Sequence, residues 1–143
     1  MVMTVTLTAK SGALDGKEFR FEGRRKIVIG RGDDCDIFLP GGLEFIYASR
    51  HHCVITVAGS EVRVRDLGSR NGTWLNGMQI GRPVAWHLSG LAAAMPFWEY
   101  DLSDGDELKV GETVFVVEIM SSTRHGRPKV KAVAELQNYC LSL

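Results

Sequence analysis

Arginine, serine and asparagine recur at a few glycine-marked points of this 143-residue chain: Gly30-Arg31-Gly32, Ser49-Arg50-His51-His52, Arg70-Asn71-Gly72-Thr73 and Asn76-Gly77. Arg31, Arg50 and Arg70 carry planar guanidinium groups, whose paired donors suit two oxygens of one anion. The Ser49 hydroxyl and loop N–H groups can supply neutral donors beside them. Asn71 has a donor and an acceptor on one side chain, so it can pair with both groups of a peptide backbone. Together such residues suit an oxyanion attached to a peptide. A phosphate monoester, with nearly two negative charges and three strong acceptor oxygens, has that character. Arginine clusters are a recurring mode of phosphopeptide capture.

Other chemistries fit less well. His52 follows Ser49 closely, but no acidic orienter and no nucleophile elbow accompany them, so no catalytic residue is expected. His51, His52, Cys35 and Cys53 lack the spacing of a zinc site, and neither a metal nor a cofactor is expected. Cys35, Cys53 and Cys140 are odd in number and form no C-x-x-C pair, which fits a reducing compartment without a disulfide framework.

The elements that must carry these loops read as strands. Val2–Thr8 alternates apolar and hydroxyl residues, and Lys17–Glu22 alternates around Phe19 and Phe21. Lys26–Ile29 and Asp36–Leu39 are short runs ending at Gly30 and at Pro40-Gly41-Gly42. His52–Val57 and Glu61–Asp66 alternate about Ala58-Gly59-Ser60, and Thr73–Leu75 and Met78–Ile80 flank Asn76-Gly77; each pair reads as a hairpin. Glu107–Val110 and Thr113–Ile119 close the pattern about Gly111-Glu112. Trp74 is expected to pack inside. Short strands at regular spacing, with no crossover helices, predict an all-β sandwich or barrel.

In chain order the loops read Gly-Arg, Ser-x-x-His, Asn-Gly-Thr and Asn-Gly, with Asp66-Leu67-Gly68-Ser69 before the third and Leu-x-x-Gly-Asp-x-x-x-x-Gly at Leu102–Gly111. This order resembles the forkhead-associated (FHA) domain family over roughly Val5–Ile119. The resemblance implies an FHA-like (SMAD/FHA) β-sandwich of two mostly antiparallel sheets that binds phosphothreonine peptides at one end and catalyses nothing. It implies that Arg31 and Ser49 bind phosphate, that Arg50 sits at the adjacent contact position, that Arg70 occupies a further phosphate-contact position, and that Asn71 holds the peptide main chain. A small hydroxyl residue is commoner in the family where this chain has Arg70. Gly30, His52, Gly72, Thr73, Asn76 and Gly77 are expected to serve the architecture of the loops, with His52 bracing them. Specificity for the third residue after the phosphothreonine is expected from Leu43–Ala48, with Tyr47 favouring an apolar residue there. The implied partners are a phosphothreonine-containing protein and, upstream, a Ser/Thr kinase.

Composition sets the remaining bounds. Lysine plus arginine and aspartate plus glutamate both number 17, for zero formal net charge, which argues against generic nucleic-acid binding. Met1–Ala9 lacks the pattern of a signal peptide, and the apolar run Pro83–Trp98 is short and proline-broken for a membrane span, so a cytoplasmic protein (nuclear if eukaryotic) without membrane contact is expected. The FHA-like domain is assigned to residues 1–120, with an apolar insertion about 82–98 that holds Trp86, Leu88, Leu91, Phe97 and Trp98. That run either folds over the sandwich or offers a surface for self-association, and the second option carries the alternative reading of a phosphate-independent scaffold or oligomerisation module. Residues 121–143 read as a basic linker, with Lys129–Leu141 fitting a short amphipathic helix.

Overall fold

The computed structural model describes residues 2–40, 42, 45–81, 98–122 and 128–129. The strands are β1 (Val2–Ala9), β2 (Glu18–Glu22), β3 (Arg25–Gly30), β4 (Ile37–Phe38), β5 (Cys53–Ala58), β6 (Glu61–Asp66), β7 (Thr73–Leu75), β8 (Met78–Gln79), β9 (Glu99–Asp101), β10 (Glu107–Val110), β11 (Thr113–Ser122) and β12 (Pro128–Lys129). They form two sheets. The larger runs β2-β1-β11-β10-β7-β8, with β12 also on β11, and the smaller runs β4-β3-β5-β6-β9. Every pairing is antiparallel except β3 with β4.

The alternation in the sequence becomes the two faces of each sheet. In β1, Met3, Val5, Leu7 and Ala9 are buried while the threonines between them face outward. Ile27, Ile29, Cys53, Ile55, Val62 and Val64 of the smaller sheet meet Leu108, Val110, Phe115 and Val117 of the larger in one core. Each such burial stabilises the fold by about 1.5–3 kcal/mol relative to exposure. Phe19 on β2 adds an edge-on contact to Phe115, with ring centroids 6.3 Å apart.

The Asn76-Gly77 hairpin forms with both residues at positive φ, 52° and 84°, as a two-residue I′ turn requires. Asn76 also ties that turn to β10. Its amide donates to Asp106 Oδ1 at 3.0 Å, and its carbonyl oxygen accepts from the Glu107 N–H at 2.9 Å.

Three findings differ from the expectations. Trp74 lies on the outer face of the larger sheet, half-buried under Lys109, whose Nζ is 5.6 Å from the ring centroid. The inward positions of β7 belong to Thr73 and Leu75. The edge strand β9 forms on β6 where no strand is expected, and β11 continues through Ser122 to pair with β12. The insertion, apart from Trp98, lies outside the described residues, as does the expected C-terminal helix apart from Lys129 in β12. Among the described residues no helix is long and apolar enough to cross a membrane.

Candidate functional site

The loops at one end of the sandwich are joined by backbone hydrogen bonds. β3 ends at Gly30, where a Cβ would fall 2.0 Å from the Arg50 carbonyl oxygen. A glycine is therefore needed for the two segments to approach this closely. Beyond it, the Arg31 N–H donates to the Ser49 carbonyl at 3.0 Å and the Gly32 N–H to the Arg50 carbonyl at 2.9 Å. The Arg31 guanidinium Nε donates to the Ala48 carbonyl, fixing the base of the side chain. Among the described residues no side chain takes its two terminal nitrogens, which leaves a paired donor edge for an anion.

The third loop reaches the same point. The Ser49 hydroxyl oxygen accepts the Arg70 N–H at 3.0 Å. With that lone pair used, its proton can donate outward. The Asn71 amide Nδ2 donates to the Tyr47 carbonyl at 3.0 Å. Arg50 and Arg70 are exposed, and Arg31, Ser49 and Asn71 are half-buried. The structure thus brings Arg31, Ser49, Arg70 and Asn71 onto three loops joined through the Ser49 segment, with Arg50 next to Ser49.

Beneath them lies His52, fully buried. Its Nδ1 accepts the Ser49 N–H at 3.0 Å, and its Nε2 lies 2.7 Å from the Gly72 carbonyl oxygen. A carbonyl only accepts, so Nε2 carries the proton and the ring is neutral. Burial holds the imidazole below its ordinary pKa, against the Gly72 carbonyl and the Asp66 charge, which pull the other way. Both ring nitrogens are occupied, so His52 is unavailable as a base for Ser49.

The sequence reading missed the second anchor. Asp66 is buried at the end of β6, where Oδ2 accepts the N–H groups of Gly68 and Ser69 at 2.9 Å each. Oδ1 accepts the hydroxyls of Ser69 and Thr73, at 2.6 Å each. Ser69 Oγ in turn accepts the Gly72 N–H at 2.9 Å. Thr73 thus serves the loop from inside the core. Gly72, at φ 91°, turns the chain beside Gln79. The available signal was the Asp-x-x-Ser spacing, with two residues between them, which resembles a capping or Asx arrangement.

The segment assigned to specificity divides. Phe45 and Ala48 are buried in the core, while Ile46 and Tyr47 are more than half exposed, and the Tyr47 carbonyl is bonded to Asn71. Leu43 and Glu44 lie outside the described residues.

The FHA domain family model matches residues 27–89, the span that holds all three loops. A structure solved to analyse phosphothreonine-dependent FHA domain interactions is 27% identical, with a TM-score of 0.61 over 84% of this chain and 99% of its own. The chain contains an FHA domain. A second FHA structure, that of FhaA in complex with the intracellular domain of another protein, is also 27% identical, with a TM-score of 0.59, covering 80% of this chain and 99% of that one. Among curated relatives, the FHA domain-containing protein FhaB of Mycolicibacterium smegmatis is 38% identical over 78 residues, 54% of this chain and 47% of FhaB. The chain spans about half the length of the curated relatives it matches. The five residues read as the phosphopeptide site all fall within the matched FHA span.

Proposed function

We propose that this FHA domain captures a phosphothreonine-bearing segment of another protein, so that a Ser/Thr kinase acting on that protein controls the interaction. Arg31, Ser49 and Arg70 take the phosphate, with Arg50 at its rim. Asn71 holds the peptide main chain. The observation that carries this reading is the bonding of Ser49: its hydroxyl oxygen is used by the Arg70 N–H, its carbonyl by the Arg31 N–H, and its N–H by His52. One serine thus fixes the donors of three loops around one point, with its own proton left to give.

The role is binding without a catalytic step. The buried, doubly bonded His52 leaves Ser49 without a base, which supports that reading. The domain is assigned to residues 1–120 and to the cytoplasm. Tyr47, exposed beside Asn71, favours an apolar residue at the third position after the phosphothreonine.

Calorimetric titration of a phosphothreonine peptide and its unphosphorylated twin tests the proposal, with Arg31→Ala as control. The phosphopeptide alone should bind, and Arg31→Ala should remove most of that binding. Equal binding of both peptides would overturn the reading.

A further inference from the structure

The four residues weighed for a metal from the sequence do not converge. His52 is fully bonded and Cys53 is buried in the core. The fold instead gathers a different set. Asp34, Cys35 and His51 each offer a ligand atom, and these atoms all lie within 4.8 Å of one another.

We propose that Asp34, Cys35 and His51 form a binding site for a single divalent ion of the zinc class. Zinc bonds to sulfur, imidazole nitrogen and carboxylate oxygen measure about 2.0–2.3 Å, so ligand atoms around one ion stand roughly 3–4 Å apart, and small side-chain rotations close the gap from the observed spacing. A thiolate, an imidazole and a carboxylate form a mixed soft and hard set. It suits zinc or cobalt and discriminates against magnesium and calcium, which favour all-oxygen shells. Three protein ligands leave a fourth position for water.

The backbone holds the three side chains in place for this. Cys35 N–H closes a turn onto the Gly32 carbonyl at 3.0 Å, and Gly32 N–H bonds the Arg50 carbonyl, next to His51. A Cβ at Gly32 would lie 2.6 Å from Asp34 Oδ1 and 3.3 Å from His51 Nε2. The glycine therefore keeps clear the space where the two side chains meet, with both carboxylate oxygens 3.0 Å from His51 Nε2. Cys35, from the same loop as Asp34, donates its S–H to the Arg50 carbonyl oxygen at 3.1 Å, and it gives up that proton and that bond when it ligates as a thiolate. An ion held here ties the β3–β4 loop, which carries Arg31, to the segment that carries Arg50.

The test is titration of the reduced 143-residue chain with cobalt(II), in a Cys140→Ser background that removes the third thiol. No peptide is present, so the outcome is independent of the phosphopeptide reading. One cobalt per chain should bind, with a thiolate-to-cobalt charge-transfer band and the visible bands of tetrahedral coordination, and zinc should displace it. Cys35→Ser should abolish the charge-transfer band. His51→Gln, which replaces the imidazole with an uncharged polar side chain, and Asp34→Asn, which keeps side-chain shape, should each weaken binding at least about ten-fold, since each removes one of only three protein ligands. Thermal melts identify any variant that has lost the fold. The absence of a charge-transfer band, its survival in Cys35→Ser, or its indifference to His51→Gln and Asp34→Asn would overturn the proposal.

Discussion

The backbone N–H of Arg70 donates to the Ser49 hydroxyl oxygen across 21 residues of sequence, at 3.0 Å. This bond joins the loop after β6 to the segment before β5, and it orients the hydroxyl that faces the proposed phosphate. Ser49→Ala removes both at once: the phosphate loses a donor, and the Arg70 N–H loses its acceptor. Phosphopeptide affinity should fall at least about ten-fold, because the hydroxyl's bond to the anionic phosphate is charge-assisted and contributes roughly 1.5–3 kcal/mol. Ser49→Thr, which retains the hydroxyl, should recover part of the loss. Unchanged affinity in Ser49→Ala by calorimetry would place the phosphate elsewhere.

Arg31 divides its guanidinium between two duties. Nε anchors to the Ala48 carbonyl, and among the described residues no side chain takes the terminal nitrogens. A lysine cannot do both, because a single ammonium lacks the planar fork. Arg31→Ala should cost about 1.5–3 kcal/mol of binding, near ten- to hundred-fold, and Arg31→Lys should recover only a minor part. Full recovery by lysine in the same titration would mean that charge alone, without bidentate geometry, serves the site.

Gly30→Ala tests the close approach beneath the site. Its Cβ would fall 2.0 Å from the Arg50 carbonyl oxygen and 2.9 Å from that of Ser49, both backbone atoms. The two segments must separate, at a cost of about 1–3 kcal/mol in stability. Binding should fall further than stability predicts, because the Arg31–Ser49 and Gly32–Arg50 backbone bonds lie directly beyond. A variant with wild-type melting and wild-type affinity would contradict this placement.

Some of this was legible in the sequence and some was not, for physical reasons. Asn76-Gly77 announced its turn because few residues tolerate positive φ, and strands such as β1 announced themselves because half-buried sheets impose a period of two. β9 is three residues long, with exposed Glu99 and Asp101 around half-buried Tyr100, so no period could emerge. Trp74 was misplaced because three residues do not reveal which face is inward. Hydrophobicity favoured the tryptophan, but Thr73 takes the core side because Asp66 is there to accept its hydroxyl. The loops of the candidate site were readable as a set. The Asp66 and His52 anchors beneath them are tertiary contacts, and no local pattern reports their partners.

Those anchors predict a pH dependence. The His52 imidazole is held neutral by burial, so its folded-state pKa lies below the ordinary 6.5 of the unfolded chain. Between those two values the unfolded chain binds a proton that the folded chain does not. The stabilisation is therefore fully present above about pH 6.5 and is lost as pH falls through the folded-state value. Protonating Nδ1 also expels the Ser49 N–H, so the site loosens as the fold weakens. Urea unfolding between pH 7.5 and 5 should show a steeper loss for the wild type than for His52→Gln, which has no group titrating there. Parallel slopes would remove His52 as the cause.

Asp66→Asn is the sharpest probe of the buried loop anchor. Both carboxylate oxygens are used, each accepting two hydrogen bonds from donors that have no acceptor capacity to offer in return, save the two hydroxyls. An amide keeps one oxygen and replaces the other with an NH2. If the NH2 faces Gly68 and Ser69, it opposes two N–H donors. If it faces the hydroxyls of Ser69 and Thr73, these must turn to accept, and Ser69 Oγ already accepts the Gly72 N–H. Neither orientation satisfies the network, and a buried hydrogen bond to a charged group contributes about 1.5–3 kcal/mol. The variant should lose at least one such contribution in urea unfolding. It should also lose phosphopeptide affinity, although Asp66 itself is buried behind the loop, because Arg70 and Asn71 lie between Ser69 and Gly72. A destabilised variant with undiminished affinity would show that the loop keeps its binding geometry without this anchor.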